Sequence, residues 1–180
     1  AINTWLHGQS QQFQQAGRGM ASTFSAVVVK STTAHIFHVG DSRIYLLRDG
    51  EFESLTTDHR IRIDENKEYL GRAFGVDYCL DIDYKTLAVQ EKDIFLLTTD
   101  GVHDVLPDKL LKQFLLEGDS ADLSGLTERI CDEALKAGSQ DNISCQLMCI
   151  EQLPTQAPDE VFVQLTVLPF PPDLYEGVIL

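Results

Sequence analysis

The sequence predicts an α+β protein in which antiparallel strands come in runs and the helices gather late. Three observations carry this. From residue 23 to residue 97, β-branched and apolar residues fall into short runs separated by turn residues. Helical spacing of apolar residues is concentrated between 107 and 138, and a further apolar run, 143–150, returns after those helices as a strand. Strands in runs with helices set apart favour α+β over alternating βαβ units. With 180 residues, 43% of them hydrophobic, the chain can bury one full core and not two. The expected organisation is one domain over 1–151 and a Pro-rich linker or tail over 152–180.

Along the chain, Ile2, Trp5, Leu6 and Phe13 stand at helix-like spacing before a Gln-rich stretch and the Gly17-Arg18-Gly19 breaker. Runs 23–30 and 33–39 read as strands. Residues 44–47, followed by Asp49-Gly50 and Phe52, read as a hairpin, so an antiparallel meander is expected. In 78–85, Tyr78, Leu80, Ile82 and Tyr84 alternate with polar neighbours, the period-2 pattern of a half-buried strand. Residues 94–97 are apolar throughout, which predicts a strand covered on both faces. Pro107 suits a first helical turn, Leu110, Leu111, Phe114 and Leu115 form one face, and Gly118 stops that helix. A second helix places Leu123, Leu126, Ile130 and Ala134 on one stripe and ends near Gly138, and 143–150 follows as a central strand. In the tail, prolines interrupt one alternating stretch, 161–168, a candidate edge strand.

A formal net charge of −14, with no basic patch, argues against direct nucleic-acid binding. It would also repel a phosphorylated substrate unless the carboxylates are neutralised, and divalent cations are the usual means. No apolar run approaches the ~20 residues of a membrane helix, and no basic-then-apolar leader opens the chain. This segment is therefore expected to make no membrane contact and to work in the cytoplasm, with any anchor elsewhere in a longer protein. Cys79, Cys131, Cys145 and Cys149 form neither a CxxC pair nor a zinc-like set with histidines. Cys145 and Cys149, four apart on a strand, would lie ~13 Å from one another, too far for a disulfide. Buried free thiols are expected.

Acidic residues sit beside tight turns at strand ends in five motifs: Gly40-Asp41-Ser42-Arg43, Leu55-Thr56-Thr57-Asp58-His59, Arg72-Ala73-Phe74-Gly75, Thr98-Thr99-Asp100-Gly101-Val102-His103-Asp104 and Gln140-Asp141-Asn142-Ile143-Ser144. Taken alone, each Asp-Gly or Asp-Asn is an ordinary Asx turn or helix cap. Carboxylates followed by Gly or Asn can, however, converge from several strands on one point. Hydrolysis of a phosphate monoester needs a nucleophile at neutral pH and neutralised phosphoryl oxygens, and two hard cations bridged by carboxylates supply both. Mg²⁺ and Mn²⁺ prefer such oxygen ligands.

In this order, over roughly residues 19–150, the motifs resemble the metal-dependent protein phosphatase family, the type-2C serine/threonine phosphatases. The resemblance implies a four-layer αββα sandwich of antiparallel sheets flanked by helices, and hydrolysis of phosphoserine and phosphothreonine by metal-activated water. It implies that Asp100 and Asp141 bind the two catalytic Mg²⁺ or Mn²⁺ ions, and that Asp41 and Asp104 match positions holding a further, weaker ion in several relatives. No catalytic residue separate from these ligands is implied. Ser22 and Thr23 match a motif that packs beneath the site, Asp58 and His59 match a structural turn, and His103 stands where relatives carry a wall residue.

The match begins in the middle of the family's pattern. An upstream Asp-Gly-x-Gly-Gly motif that supplies a metal-bridging Asp, and an earlier segment with an Arg for substrate phosphate and another Asp, are not in these residues, so the sandwich is expected to lack its N-terminal strands. The segment between His59 and Arg72, which relatives often expand into a flap, is short and implies an open site. The tail stretch Leu168-Pro169-Phe170-Pro171-Pro172-Asp173-Leu174 is similar to connectors that join such a phosphatase to a following protein kinase domain in bacterial proteins. The implied partners are a phosphorylated protein substrate and a C-terminal kinase domain of a longer chain. The rival reading is a non-catalytic, phosphatase-like docking or regulatory module attached to a kinase.

Overall fold

The computed structural model describes residues 1–14, 19–64, 67–119 and 122–154; the tail stretch 161–168 lies outside them. Strands β1 (Phe24–Lys30) and β2 (Thr33–Val39) form a hairpin, and β7 (Asp83–Ala88) adds antiparallel to β2, giving the order β1-β2-β7. A second sheet has the order β4-β3-β8-β9, all antiparallel, from β3 (Arg43–Arg48), β4 (Glu51–Ser54), β8 (Ile94–Thr98) and β9 (Cys145–Cys149). The β3–β4 turn is the Asp49-Gly50 pair read from the sequence, with positive φ at both residues (50° and 78°), the backbone that a two-residue hairpin needs. A separate hairpin pairs β5 (Arg60–Asp64) with β6 (Lys67–Leu70).

Strict alternation along β3 builds the layers. Ile44 and Leu46 join Ala34, Ile36, Phe95 and Ile150 in an apolar cluster shared with β2 of the other sheet, while Tyr45 and Leu47 point the opposite way. There they meet Leu96, Val102 and the apolar faces of α3 (Asp108–Glu117) and α4 (Leu123–Lys136). Neighbouring residues of β8 thus serve different layers, Phe95 between the sheets and Leu96 under the helices, which is why 94–97 is apolar throughout. Each fully buried Leu, Ile or Phe contributes about 1.5–3 kcal/mol. One ion pair closes the core edge: Arg48 donates from Nε and Nη2 to Asp93 at 2.8 and 2.6 Å, and from Nη2 to the Ala88 carbonyl at 2.8 Å.

Helix α1 (Ile2–Gln14) matches the predicted helix but is held mainly by polar tethers. Asn3 donates to the Asp77 and Tyr78 carbonyls and accepts from Gly75 N, and Ser10 bonds both N and O of Met20. Its Ile2 and Trp5 side chains are exposed.

Four expectations are corrected. The strand read over 78–85 is β7 alone, starting at Asp83; Tyr78 and Ile82 precede it outside any strand, and Tyr78, Ile82 and Tyr84 are all exposed. The strand expected to be central, β9, likewise stands at a sheet edge among the described residues. Cys79 is exposed rather than buried, and the other three free thiols are only partly covered. Finally, β5 and β6 pair as a hairpin where only a short connecting segment was expected. Among the described residues no helix is long and apolar enough to cross a membrane.

Candidate functional site

Three turns at one end of the sandwich carry the acidic residues. The first leaves β2 at Gly40, whose φ of 115° and closeness to Thr23 exclude a side chain: a Cβ there would lie 2.4 Å from the Thr23 methyl. Thr23 therefore packs directly beneath the Asp41 turn, with its hydroxyl 3.1 Å from that of Ser42. From outside, His59 clamps the same turn. Gly40 N donates to His59 Nδ1 at 3.1 Å, and His59 N donates to the Gly40 carbonyl at 2.8 Å. His59 Nε2 lies 3.1 Å from an Asp83 carboxylate oxygen, with the Arg72 guanidinium against the same nitrogen. Asp58 is gripped by Arg43 through two bonds of 2.9 and 2.8 Å. Thr23, Asp58 and His59 thus take the structural roles expected of them.

The second turn follows β8. Thr99 stays extended and the chain enters the short helix α2 (Asp100–His103), with Asp104 as its C-cap. The third turn is the segment between α4 and β9, which carries Asp141. Thr99 binds this segment through three hydrogen bonds: its N donates to Ser144 O (3.0 Å), its hydroxyl donates to Asn142 O (3.0 Å), and Ser144 N donates to its hydroxyl oxygen (3.0 Å). Gly101 permits the approach, because a Cβ there would sit 2.5 Å from the Asn142 carbonyl oxygen.

The structure brings Asp41, Asp100 and Asp104 together around one guanidinium, that of Arg60 at the start of β5. Arg60 Nε donates to Asp41 at 3.0 Å, Nη1 and Nη2 form a fork onto Asp104 at 3.3 and 3.1 Å, and Nη2 lies 3.7 Å from Asp100. Asp141 does not join this ring; it shares with Asp100, Asp104 and Gln140 an adjoining cavity of about 250 Å³. A second cavity of about 200 Å³, lined by Asp41, Arg60, Tyr69, Leu70, Asp100 and Asp104, opens on the other side of the same carboxylates. The Asp100 carboxyl is pushed above its ordinary value, first by burial and then by the nearby Asp41 and Asp141 charges, against the pull of Gly101 N–H and Arg60. The His103 side chain is fully buried, its Nδ1 bonds the Thr98 hydroxyl at 2.9 Å, and its pKa is lowered to about 4, chiefly by burial.

Among the described residues no three His, Cys, Asp or Glu side chains are arranged as a metal cage. The donor set nevertheless fits a hard divalent cation: it is all carboxylate, it comes from rigid turns, and a cationic group already stands at its focus. Sequence reasoning did not find Arg60. It directly follows Asp58-His59, but an Arg in an alternating segment reads as a solvated strand residue, and only the hairpin turns it onto the carboxylates.

An antiparallel sandwich that delivers four carboxylates to one end from three turns defines the class of the molecule, a phosphatase fold with an acidic centre. The chain belongs to the protein phosphatase 2C family, whose model matches residues 1–148. It is 28% identical over 172 residues to the serine/threonine phosphatase stp of Listeria welshimeri, an alignment that covers 82% of this chain and 68% of the relative. Among solved structures it is similar to PppA of Pseudomonas aeruginosa, described as a key regulatory component of T6SS (TM-score 0.69, 26% identity, 81% of this chain and 65% of that one). The S. agalactiae serine/threonine phosphatase shares the fold (TM-score 0.72, 22% identity, 83% and 68%). The chain thus spans about two thirds of the length of these relatives.

Proposed function

We propose that this chain carries the acidic half of a serine/threonine protein phosphatase centre, which acts on phosphoserine and phosphothreonine with Mg²⁺ or Mn²⁺. The observation that carries the reading is the convergence of Asp41, from the turn after β2, with Asp100 and Asp104, from the two ends of α2, and with Asp141 across a shared cavity from Asp100. In this reading Asp100 and Asp141 hold the catalytic cations, and Asp41 and Asp104 hold a further ion. Bound there, divalent cations would neutralise phosphoryl charge and lower the pKa of water. The protein's own part is positional. Thr99 fixes the Asp141 segment to the strand end, Gly101 lets the two acidic turns touch, and Thr23 and His59 hold the Asp41 turn from beneath and outside. The peptide substrate would lie over an open rim formed by the short β5–β6 hairpin. A following protein kinase domain of a longer chain belongs to the same proposal and rests on the tail composition.

The occupation of the carboxylate ring by an internal arginine, bonded to Asp41 and Asp104 and near Asp100, favours a second reading, a non-catalytic phosphatase-like module that docks a partner. Mn²⁺-dependent phosphate release from a phosphothreonine peptide separates the two. The phosphatase reading expects turnover that is abolished by Asp100→Asn while the denaturation midpoint is kept. Turnover unchanged in that variant would sink the assignment of Asp100, and no turnover either by this chain or by one extended upstream through an Asp-Gly-x-Gly-Gly motif would favour the docking module.

A further inference from the structure

The guanidinium of Arg60 does more than sit near the acidic turns. It reaches Asp41 from β2–β3, Asp104 from the end of α2 and Asp100 from its start, at 3.0, 3.1–3.3 and 3.7 Å, and its Nε is also 4.0 Å from Asp58. Its side chain is only 22% exposed. Three carboxylates this close repel one another in a partly desolvated pocket, and without a cation the turns that carry them would be forced apart or one carboxyl would take up a proton. Arg60 offsets part of that repulsion with a single, planar positive charge.

We propose that Arg60 is a resident counter-ion that a divalent cation must displace, so that this residue sets how tightly the acidic centre binds Mg²⁺ or Mn²⁺. The inference rests on the reading of Asp41, Asp100 and Asp104 as cation ligands. A carboxylate oxygen engaged by a guanidinium at 3 Å presents that lone pair to Arg60 rather than to an incoming ion. A 1+ charge a few ångströms from a 2+ ion is itself repulsive. Binding therefore requires the fork on Asp104 and the bond to Asp41 to open. Because Arg60 begins β5, that release also frees the start of the hairpin whose Tyr69 and Leu70 line the same cavity. Arg60 is a positioning residue in this account: it touches the ligands, not the reacting atoms.

The test is calorimetric titration of the chain with Mn²⁺ alone, comparing wild type, Arg60→Gln, Arg60→Lys and Asp100→Asn, with thermal unfolding in EDTA run alongside. Charge-assisted bonds of this kind are strong enough that their loss as competitors should tighten Mn²⁺ binding by about tenfold or more in Arg60→Gln. Arg60→Lys keeps the charge without the fork and should fall between. In EDTA, Arg60→Gln should melt below wild type, and Mn²⁺ should then raise its melting temperature by more than it raises that of wild type. Equal Mn²⁺ affinity in wild type, Arg60→Gln and Arg60→Lys, with Asp100→Asn weaker, would overturn the counter-ion role while leaving the cation site standing. If Mn²⁺ binds none of the four proteins, the cation reading falls and this inference with it. If Arg60→Gln does not fold without a cation, the Arg60→Lys comparison decides.

Discussion

Replacing Gly101 with alanine should separate the two halves of the acidic centre, and the size of the effect follows from contacts already described. A Cβ at residue 101 would stand 2.5 Å from the Asn142 carbonyl oxygen and 3.0 Å from its carbon. Both are backbone atoms that no rotamer change can remove. Restoring ordinary van der Waals separation requires the Asp141-Asn142 segment to retreat by about 1 Å. That retreat strains the three bonds through which Thr99 holds it, each of net value about 1 kcal/mol, and adds overpacking strain of about 1–3 kcal/mol. Alanine recovers up to about 1 kcal/mol of helix propensity in α2. The net expectation is a loss of about 2–3 kcal/mol in urea unfolding together with weaker Mn²⁺ binding, because Asp141 moves away from Asp100. Gly8, in the middle of α1, is the internal control: nothing lies within 4 Å of its would-be Cβ, so Gly8→Ala should be neutral or stabilising by up to about 1 kcal/mol. Unchanged stability and unchanged Mn²⁺ affinity in Gly101→Ala would refute the claim that this contact joins the acidic turns.

Arg48→Met should destabilise the domain by about 2–4 kcal/mol, since it leaves Asp93, 1% exposed, with only the Gln90 N–H to answer its charge. Asp93→Asn should cost less, and urea unfolding of the two variants checks the order. Stability should also fall with acidification in two stages. Burial, aided by the neighbouring His59, lowers the His38 pKa, so below about pH 6.5 the unfolded chain takes up a proton that the folded one resists. Burial alone would raise the Asp58 carboxyl, but the Arg43 fork outweighs it and the net shift is downward; this stabilisation, complete above about pH 4, is lost as pH falls further. Urea midpoints from pH 8 to pH 3 test this; because burial also lowers the His103 pKa, to about 4, His38→Gln should shrink the upper stage without removing it.

The layers were legible because period and composition agree with burial. Alternation along 44–47, continuous apolarity in 94–97 and the Asp49-Gly50 turn each map onto a single physical demand. The acidic turns were legible for a similar reason, since Asp beside Gly or Asn at a strand end has few other uses when it recurs in order. Three features were hidden. The 78–82 alternation resembles a half-buried strand, yet whether a face is covered depends on which strands flank it, which no local pattern states. The nearness of Cys131 and Cys145, whose sulfurs lie 3.7 Å apart between α4 and β9, arises from packing across 14 residues of sequence. Arg60 was hidden because a hairpin, not a motif, places it.

That last placement bears on how the centre works. The carboxylates stand on turns fixed to the two-sheet core: Asp41 between Thr23 and His59, Asp100 on the end of β8, Asp141 through Thr99. The charge that offsets part of their repulsion stands instead on the β5–β6 hairpin, outside both main sheets and tied back where Gly71 N donates to the His59 carbonyl. Rigid anions facing a cation on a separate element form an arrangement in which the anionic geometry persists whichever cation is present. An acidic chain that must accept a still more negative phosphoryl group gains from this, because its ligands stay together before a divalent ion arrives. The same arrangement makes His59 a shared support: it fixes the Asp41 turn by its ring and the hairpin base by its backbone, so a change there should disturb both partners of the ion cluster at once.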